Sequence, residues 1–599
     1  MKKNTILWGC LSVLLVVMLG ANIVLGTLQL GHAASGSSGG ISAAPAADFG
    51  QFCENYYRDM ICGDVLSLES YLTDPAAFGY TLAEYDLGDD GVQSRLQDTA
   101  YYADMLAQLE SFDYGALSAA EQRTYEVVQA DLQAAVQLKG MELYPESLTA
   151  NGFQAMLPVY FLEFGMENAD DLALYMQILA DVPRYFDTVM ETERIKAQQG
   201  LFMTEENCNA VIEQCREFIA VPEENVMIAM FAEKLDGVAT LTQAQKDDFT
   251  AQNTDIVLHQ IVPAYQKMID TLTQLKASCR ADGGICNLPQ GKAYFTWLMQ
   301  AQGHSYATVE EAISALDSTI MNSLYALWDI QQQDANVTTA AYESAYPYED
   351  PQEILAYLKE AMTADFPQMA EVPYTVKQVP EVLRPYLSPA FYMTPPLDDY
   401  TKNTIYLNIG DGNNGNELFP TLAHEGYPGH LLQFVGFAST QPEYVRKLIS
   451  PLAYVEGWSS YVETLSYGYT GWGSNAVAWR MNENILMLAL YARTDIGINY
   501  EGWTREEASE YFGMYFSVDA DSMNDMYNRM IQDPAGYVDY GLGLVQMLAL
   551  RSEAQETLGT DFSAVEFHRF IIETGPCDMK LLQSYFADWL ALQGMAAAA

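Results

Sequence analysis

The sequence predicts a mainly α-helical fold with a small antiparallel sheet. Between residues 48 and 388, apolar residues recur at intervals of three and four, as in Leu172, Tyr175, Met176, Leu179 and Val182. Two segments, 374–379 and 404–409, instead carry β-branched and aromatic residues between turns, as expected of strands. Helical patterning resumes after Leu418 and continues to the end of the chain.

For one long helix, the sequence also predicts the first residue. The segment 309–328 follows Thr308, a residue type that caps helices, and it has Glu310 and Glu311 in its first turn. Negative side chains are favourable there because the helix dipole is positive at that end. We therefore expect a helix that begins at Val309.

Composition excludes several classes of protein. Half of the 599 residues are hydrophobic, which is a globular proportion and argues against a disordered chain. The mean hydropathy of −0.05 excludes a polytopic membrane protein. The chain has 79 acidic and 29 basic residues, a formal net charge of −50. Such a field repels a phosphate backbone, so we expect no nucleic-acid partner.

The amino terminus is typical of an export signal. Lys2 and Lys3 precede an apolar run from Ile6 to Gly26, long enough to span a bilayer, and the small residues near Ala33 suit cleavage. Residues 1–32 are therefore predicted to be a signal peptide or a signal anchor. Residues 33–48 are small and almost uncharged, and they are predicted to be a flexible linker. Residues 49–599 form the helical body, of one or two lobes, outside the cytoplasm and either secreted or attached to the membrane.

Export permits disulfide bonds. Cys279 and Cys286 flank a turn and form the most credible pair. Cys208 and Cys215 would lie about 10 Å apart on one straight helix, which is too far to bridge. No cysteines have Cys-x-x-Cys spacing, so a cysteine zinc site is not expected.

The main chemical signal is the segment 424–430, HEGYPGH. The chain has only six histidines, and His424 and His430 both lie here. Imidazoles bind zinc, and the adjacent Glu425 can deprotonate a water. Helical zinc sites commonly place their two histidines four residues apart, whereas a spacing of six leaves the rings on different sides of a regular helix. Pro428 and Gly429 permit a bulge that would bring the rings together. The alternative is a helix end with two incidental histidines.

A second acidic pair follows on a predicted helix. Glu456 and Glu463 are seven residues apart, two turns along one face, in an otherwise apolar stretch. Burying unpaired carboxylates is costly, so they either reach solvent or are held by a cation. His424, His430 and Glu456 would supply three ligands to one Zn²⁺ and leave a position for water. Glu463 would accept a hydrogen bond from a ligand histidine.

These motifs resemble the bacterial DUF885 proteins, which are grouped with the gluzincin-like zinc peptidases. The resemblance covers residues from about 50 to the end and includes the following segments: HEGYPGH (424–430), VEGWSSYVE (455–463), SPAFYMTPP (388–396), IYLN (405–408), LPQGKAYF (288–295), RTDIGINYEGW (493–503), DPAGYVDYGLG (533–543) and FHRFIIETGP (567–576), with Arg551.

The resemblance implies a large helical body with a deep cleft. It implies zinc bound by His424, His430 and Glu456, with Glu425 as the base. Tyr540 would stabilise the oxyanion, although packing is an equal alternative for this tyrosine. An edge strand near IYLN would hold an extended peptide.

Other substrate contacts are expected from Asn408, Asn499 and Arg551. The family commonly has a histidine where Asn499 stands; asparagine can donate a hydrogen bond but cannot act as an acid. The family's PGQ-like turn is Pro534-Ala535-Gly536 in this chain.

We therefore predict a zinc-dependent hydrolase of short peptides. The alternatives are a zinc hydrolase of other amides or of esters, and a surface binding protein without catalysis. The sequence leaves open the cleavage specificity, the oligomeric state, and manganese or cobalt in place of zinc.

Overall fold

The computed structural model describes residues 46–149, 151–369, 371–379, 384, 389–408 and 417–598. The predicted signal segment, most of the predicted linker and Ile409 lie outside these ranges. The helices of the first part are α1 (Phe49–Ile61), α2 (Val65–Tyr71), α3 (Val92–Leu109), α4 (Ala119–Gln137), α5 (Phe153–Glu163), α6 (Ala169–Gln199), α7 (Glu205–Phe218), α8 (Val226–Asp236), α9 (Gln243–Ile256), α10 (Val262–Leu275), α11 (Gly291–Ala301), α12 (Val309–Gln333), α13 (Val337–Glu343) and α14 (Pro351–Ala361).

Three strands follow, and then helices to the end. The strands are β1 (Tyr374–Gln378), β2 (Ala390–Met393) and β3 (Asn403–Leu407). The later helices are α15 (Leu418–Glu425), α16 (His430–Ser439), α17 (Tyr444–Leu448), α18 (Leu452–Ser466), α19 (Ser474–Ile496), α20 (Arg505–Gly513), α21 (Ala520–Gln532), α22 (Gly536–Leu558), α23 (Ala564–Thr574) and α24 (Met579–Ala598). The mainly α-helical prediction is confirmed. In the part of the chain that the structure describes, no helix is both long and apolar enough to cross a membrane.

The predicted start of α12 is confirmed. Thr308 is its N-cap, and the Thr308 side chain accepts a hydrogen bond from the backbone N–H of Glu311. The helix runs to Gln333, beyond the predicted Trp328.

The predicted small sheet is present, but its pairing is mixed rather than wholly antiparallel. The strand order is β1-β3-β2, with β3 parallel to β1 and antiparallel to β2. Because β3 lies in the centre, the IYLN segment that it contains is paired on both sides. Its two neighbours are the edge strands: β1, which was predicted, and β2, which the sequence patterning did not single out as a strand.

Buried apolar side chains form two large clusters. The larger includes α1, α3, α4 and most elements from α11 to α24, together with β2 and β3. The second is built mainly from α5 to α10. A small third cluster packs α5 against one face of the sheet through Met156, Val159, Phe391 and Tyr406.

Two glycines let the central helices α18 and α22 approach closely. A Cβ atom on Gly457 would lie 2.7 Å from the backbone carbonyl carbon of Gly543, and one on Gly543 would lie 2.7 Å from the carbonyl oxygen of Ala453. Larger residues would force the helices apart. This crossing brings the acidic face of α18 next to α22.

The thiols of Cys279 and Cys286, the predicted pair, have different neighbours. All seven cysteines of the described residues, Cys208 among them, are free thiols in this structure. The Cys286 thiol faces the carbonyl of Ile498, at 3.4 Å. Cys279 instead faces Cys208. Short sequence separation was the argument for the predicted pair, and the packing of α7 against α10 brings a more distant cysteine closer.

Candidate metal centre

The HEGYPGH segment is a break between two helices rather than a bulge within one. The helix α15 ends at Glu425 and α16 begins at His430. A Cβ atom on Gly429 would lie 1.7 Å from the carbonyl oxygen of His424, so only glycine allows this close return of the chain. Trp458 of α18 holds the break by donating from Nε1 to the carbonyl of Pro428, at 3.1 Å.

The break brings three predicted ligands together. The ligand atoms of His424, His430 and Glu456 all lie within 4.8 Å of one another, and all three side chains are buried. Oε2 of Glu456 lies 3.6 Å from Nε2 of each histidine. The three residues come from the end of α15, the start of α16 and the first turns of α18.

Hydrogen bonds orient both imidazoles. Nδ1 of His424 lies 2.9 Å from Oε2 of Glu463, and Nδ1 of His430 lies 3.4 Å from Oε1 of Gln433. Because carboxylate and amide oxygens accept, each Nδ1 carries the proton of the neutral, metal-binding ring, and each Nε2 then presents a lone pair. The sequence predicted the contact of Glu463. It missed Gln433, although a position three residues after His430 on a helix was a usable signal.

The donor set fits a divalent cation. Nε2 of His430 and Oε1 of Glu456 are buried and have no hydrogen-bond partner among the described residues. Buried polar atoms are nearly always paired, so two such atoms at one point call for a further partner. Two imidazole nitrogens and one carboxylate are the donors of a catalytic zinc site with an open position.

Electrostatics in this cluster favour a positive charge. Burial alone would raise the pKa of Glu456, but the two histidines outweigh it and lower that pKa to about 2. Burial likewise acts to lower the pKa of His424, but hydrogen bonds to Glu456 and Glu463 raise it to about 10. The carboxylates thus stabilise a cation between them.

Glu425 is held by the sheet. Its Oε2 accepts a hydrogen bond from the backbone N–H of Tyr392 in β2, at 2.9 Å. Burial raises the pKa of Glu425, while the charges of the two histidines oppose that shift. Tyr392 was not assigned a role from the sequence, because a backbone donor leaves no signature in residue type.

Tyr540 lies against the cluster from the side of α22. Its ring is nearly parallel to that of His424, with centroids 6.2 Å apart. Its buried hydroxyl has no hydrogen-bond partner among the described residues. An unpaired hydroxyl near the ligands can donate to a substrate atom.

The side chains of the other predicted substrate contacts, Asn408, Asn499 and Arg551, have partners within the fold. Both polar atoms of the Asn499 side-chain amide are bonded within the fold. Oδ1 accepts from the N–H of Ile285, and Nδ2 donates to Asp495 and to the carbonyl of Met530. Asn408, just after β3, donates to the carbonyl of Arg384.

Arg551 belongs to a different part of α22 from Tyr540. It lies eleven residues further on, about 16 Å along the helix. Its guanidinium is 5.9 Å from the ring centroid of Tyr461. The Tyr461 hydroxyl, at 2.7 Å from Nε2 of His568, joins a buried polar group that is separate from the three ligands.

A cavity of about 840 Å³ opens beside the carboxyl end of β2. Its lining includes Met393 and Thr394, the residues that follow Tyr392, together with parts of α2, α3, α5 and α6. The three ligands do not line it. Nine acidic and two basic residues do, so its field is negative.

Comparisons with known proteins place the chain. Residues 76–585 match the model of a family described as bacterial proteins of unknown function, DUF885. Among curated proteins, none is similar in sequence to this chain.

Two solved structures share the fold. A lipoprotein candidate from Colwellia psychrerythraea is 19% identical, with a TM-score of 0.81 over 91% of this chain and 99% of that one. A lipoprotein candidate of unknown function from Shewanella oneidensis is 17% identical, with a TM-score of 0.62 over 90% of this chain and 100% of that one. Because the family model matches most of its length, this chain belongs to the DUF885 family.

Proposed function

We propose that the protein is an extracytoplasmic, zinc-dependent peptidase that hydrolyses short peptides. The observation that carries the proposal is the convergence of three buried ligand atoms within 4.8 Å, beside a glutamate that a backbone N–H holds in place. A zinc ion held by His424, His430 and Glu456, one per chain, would polarise a carbonyl and lower the pKa of a water to about 7.

Glu425 is the general base. One of its oxygens is occupied by the Tyr392 N–H, which fixes the carboxylate and leaves the other oxygen to take a proton from the attacking water. The same carboxyl then gives the proton to the leaving amine. Burial raises the pKa of Glu425, and this makes it a better base than a solvated carboxylate. Tyr540 donates its hydroxyl to the oxyanion that develops on the attacked carbonyl.

A peptide binds along the free edge of β2. In the described sheet, β2 pairs only with β3, and its other edge carries the Tyr392 N–H that reaches Glu425, so a peptide on this edge lies beside the assigned base. An extended peptide can add to such an edge by main-chain hydrogen bonds. The cavity beyond Met393 has a volume within the usual range of ligand sites, about 300–1,000 Å³. Its negative field favours substrates with free amino groups or basic side chains.

The body lies outside the cytoplasm, either secreted or attached to the membrane through the amino-terminal segment. The lysines and apolar run at residues 2–26 support export. The two solved relatives described as lipoprotein candidates are consistent with that location.

The test compares the full-length chain with its Glu425→Gln variant. Glutamine can still accept from the Tyr392 N–H but is no base. We expect both proteins to contain one zinc per chain and the variant to hydrolyse di- and tripeptides about 10²–10⁴-fold more slowly. Zinc content is measured by elemental analysis and hydrolysis by release of amine.

The same assays separate the alternatives. If the protein cleaves acyl esters but no peptide, the function is that of an esterase and not of a peptidase. If the protein contains zinc but hydrolyses neither the peptides nor the esters, a binding protein without catalysis is favoured. Hydrolysis by Glu425→Gln at the wild-type rate would refute the assigned base.

A further inference from the structure

A pair of cysteines outside the metal centre meets at the base of the second apolar cluster. Cys208 lies in the first turns of α7, four residues after the N-cap Thr204, and is fully buried. Cys279 ends the short turn that follows α10 and packs against the same cluster. The two segments belong to opposite ends of a helical array that runs from α7 to α10.

Backbone pairing fixes these two segments together. The N–H of Arg280 donates to the carbonyl of Met203, at 3.2 Å, and Thr204 and Arg280 form a parallel β-bridge. Cys279 is therefore adjacent to a bridged residue, and Cys208 stands one helical turn above the other bridged residue. The Cys208 N–H bonds to the carbonyl of Thr204, at 3.0 Å, so that turn is regular.

The thiols face each other across this bridge. Sγ of Cys208 is 3.7 Å from the carbonyl of Leu272 in α10, which orients it towards the end of that helix. Each of the two thiols shifts the pKa of the other, as expected of sulfurs that lie close together. A disulfide needs its two Cα atoms within about 7 Å, and the bridge between Thr204 and Arg280 holds the two segments that carry these cysteines together.

We propose that Cys208 and Cys279 form a disulfide bond in the exported protein. The S–S bond joins the two sulfurs as each thiol loses its proton, and the two electrons pass to a disulfide oxidant, which is reduced to two thiols. The bond closes a loop of about 70 residues that contains α7 to α10. It fastens the second apolar cluster at the point where its first and last helices meet.

The two thiols differ in how they react. Burial raises the pKa of Cys208 to about 12, and burial raises that of Cys279 as well, although Cys279 is partly exposed. A disulfide oxidant therefore reacts first with Cys279 and forms a mixed disulfide. The Cys208 thiolate then attacks the Cys279 sulfur and releases the remaining half of the oxidant as a thiol. Because the thiolate attacks, the rate rises with pH above neutrality.

The test uses the purified full-length chain treated with oxidised glutathione and then mapped by proteolysis and mass spectrometry without reduction. We expect a peptide pair joined through Cys208 and Cys279, lighter by about 2 Da than its reduced components. The Cys286→Ala variant is the matched control and keeps this link, whereas Cys208→Ala loses it. A link between Cys279 and Cys286, or free thiols at both positions after treatment, would overturn the proposal.

Thermal unfolding gives a second measurement. Loop closure of this length raises the Tm of a chain this large by about 4 °C over the reduced form. We expect that redox-dependent shift in the wild type and in Cys286→Ala, and its absence in Cys208→Ala. Zinc content and hydrolysis are unaffected in either redox state, so failure of the disulfide and failure of the peptidase proposal are distinguishable.

Discussion

Two buried clusters of charged residues in this protein are neutralised in different ways. In one, Arg95 donates from Nε and Nη2 to both carboxylate oxygens of Asp90, and from Nη1 to the carbonyls of Glu142 and Pro145. In the other, the ionisable partners of Glu456 and Glu463 are histidines, and no Lys or Arg of the described residues forms an ion pair with them. The first cluster carries its own cation.

The difference explains why atoms in only one of these clusters lack partners. A buried carboxylate costs several kcal/mol unless a cation and hydrogen bonds compensate it. Arg95 compensates Asp90 through a fork of N–H groups that matches the carboxylate. At Glu456, one carboxylate oxygen and a facing imidazole nitrogen remain unpaired in the described structure. The proposed zinc ion would supply the missing compensation.

The first way to break this comparison is to remove a ligand. We expect His430→Ala to reduce the zinc content from one per chain to less than about 0.1, because two ligands no longer enclose the ion. Elemental analysis after gel filtration measures it. His259→Ala is the matched control, since the His259 side chain is 70% exposed and bonds only within its own helix. Full zinc content in His430→Ala would refute the site.

The second prediction concerns removal of the Arg95 guanidinium, the cation of the first cluster. Arg95→Met leaves the Asp90 carboxylate buried without its partner, and we expect the free energy of unfolding to fall by about 3–5 kcal/mol. Denaturant titration measures the loss, with zinc content unchanged. The control is Arg216→Met, which breaks an exposed pair with Glu213 and costs less than about 1 kcal/mol. Equal losses in the two variants would contradict the stated role of burial.

Sequence patterning predicted much of the metal centre, the second of these clusters, because its ligands lie in two short motifs. A metal site was the simplest explanation for two histidines, at 424 and 430, and a glutamate on a nearby apolar helix. The form of the break was not predictable, since whether Pro428 and Gly429 make a bulge or end the helix depends on contacts with Trp458 from a distant segment.

The remaining differences have the same physical origin. Two of three strands were visible as β-branched runs, whereas β2 has four residues and is held by its neighbour β3. Asn499 and Arg551 were assigned to substrate from motif resemblance, but the Asn499 side chain bonds to Ile285, Asp495 and Met530, and Arg551 lies against Tyr461. Backbone donors such as Tyr392 have no sequence signature. What sequence does show well is periodicity and capping, as at the start of α12.

The third prediction concerns the hydrogen bond from His424 to Glu463. Glu463→Gln keeps an acceptor for Nδ1 but removes a negative charge, and we expect zinc affinity to fall about 10–100-fold. Competition with a chelator of known affinity measures the change, and Glu213→Gln at the surface is the control. Unchanged affinity would mean that Glu463 does not orient or polarise the ligand.

The smallest effect sharpens the comparison with a buried histidine that has neutral partners. Nδ1 of His568 donates to the carbonyl of Asp365, so the neutral ring accepts at Nε2 from the Tyr461 hydroxyl. Burial lowers the pKa of His568 to about 3, against about 6.5 in the unfolded chain. Its contribution to stability is fully present above pH 6.5 and is lost as the pH falls towards 3, by at most about 1.4 kcal/mol per pH unit.

His568→Gln removes this titration and should flatten the dependence of unfolding free energy on pH between 6 and 4. Denaturant titrations at several pH values measure the slope in both proteins, and His259→Ala keeps the wild-type slope because that side chain is exposed. An identical slope in His568→Gln would mean that His568 is charged in the folded protein. Burial and the charge of Arg551 would then be too weak to keep a buried histidine neutral. In that case the positive charge at His424 would not require its two carboxylates as the explanation.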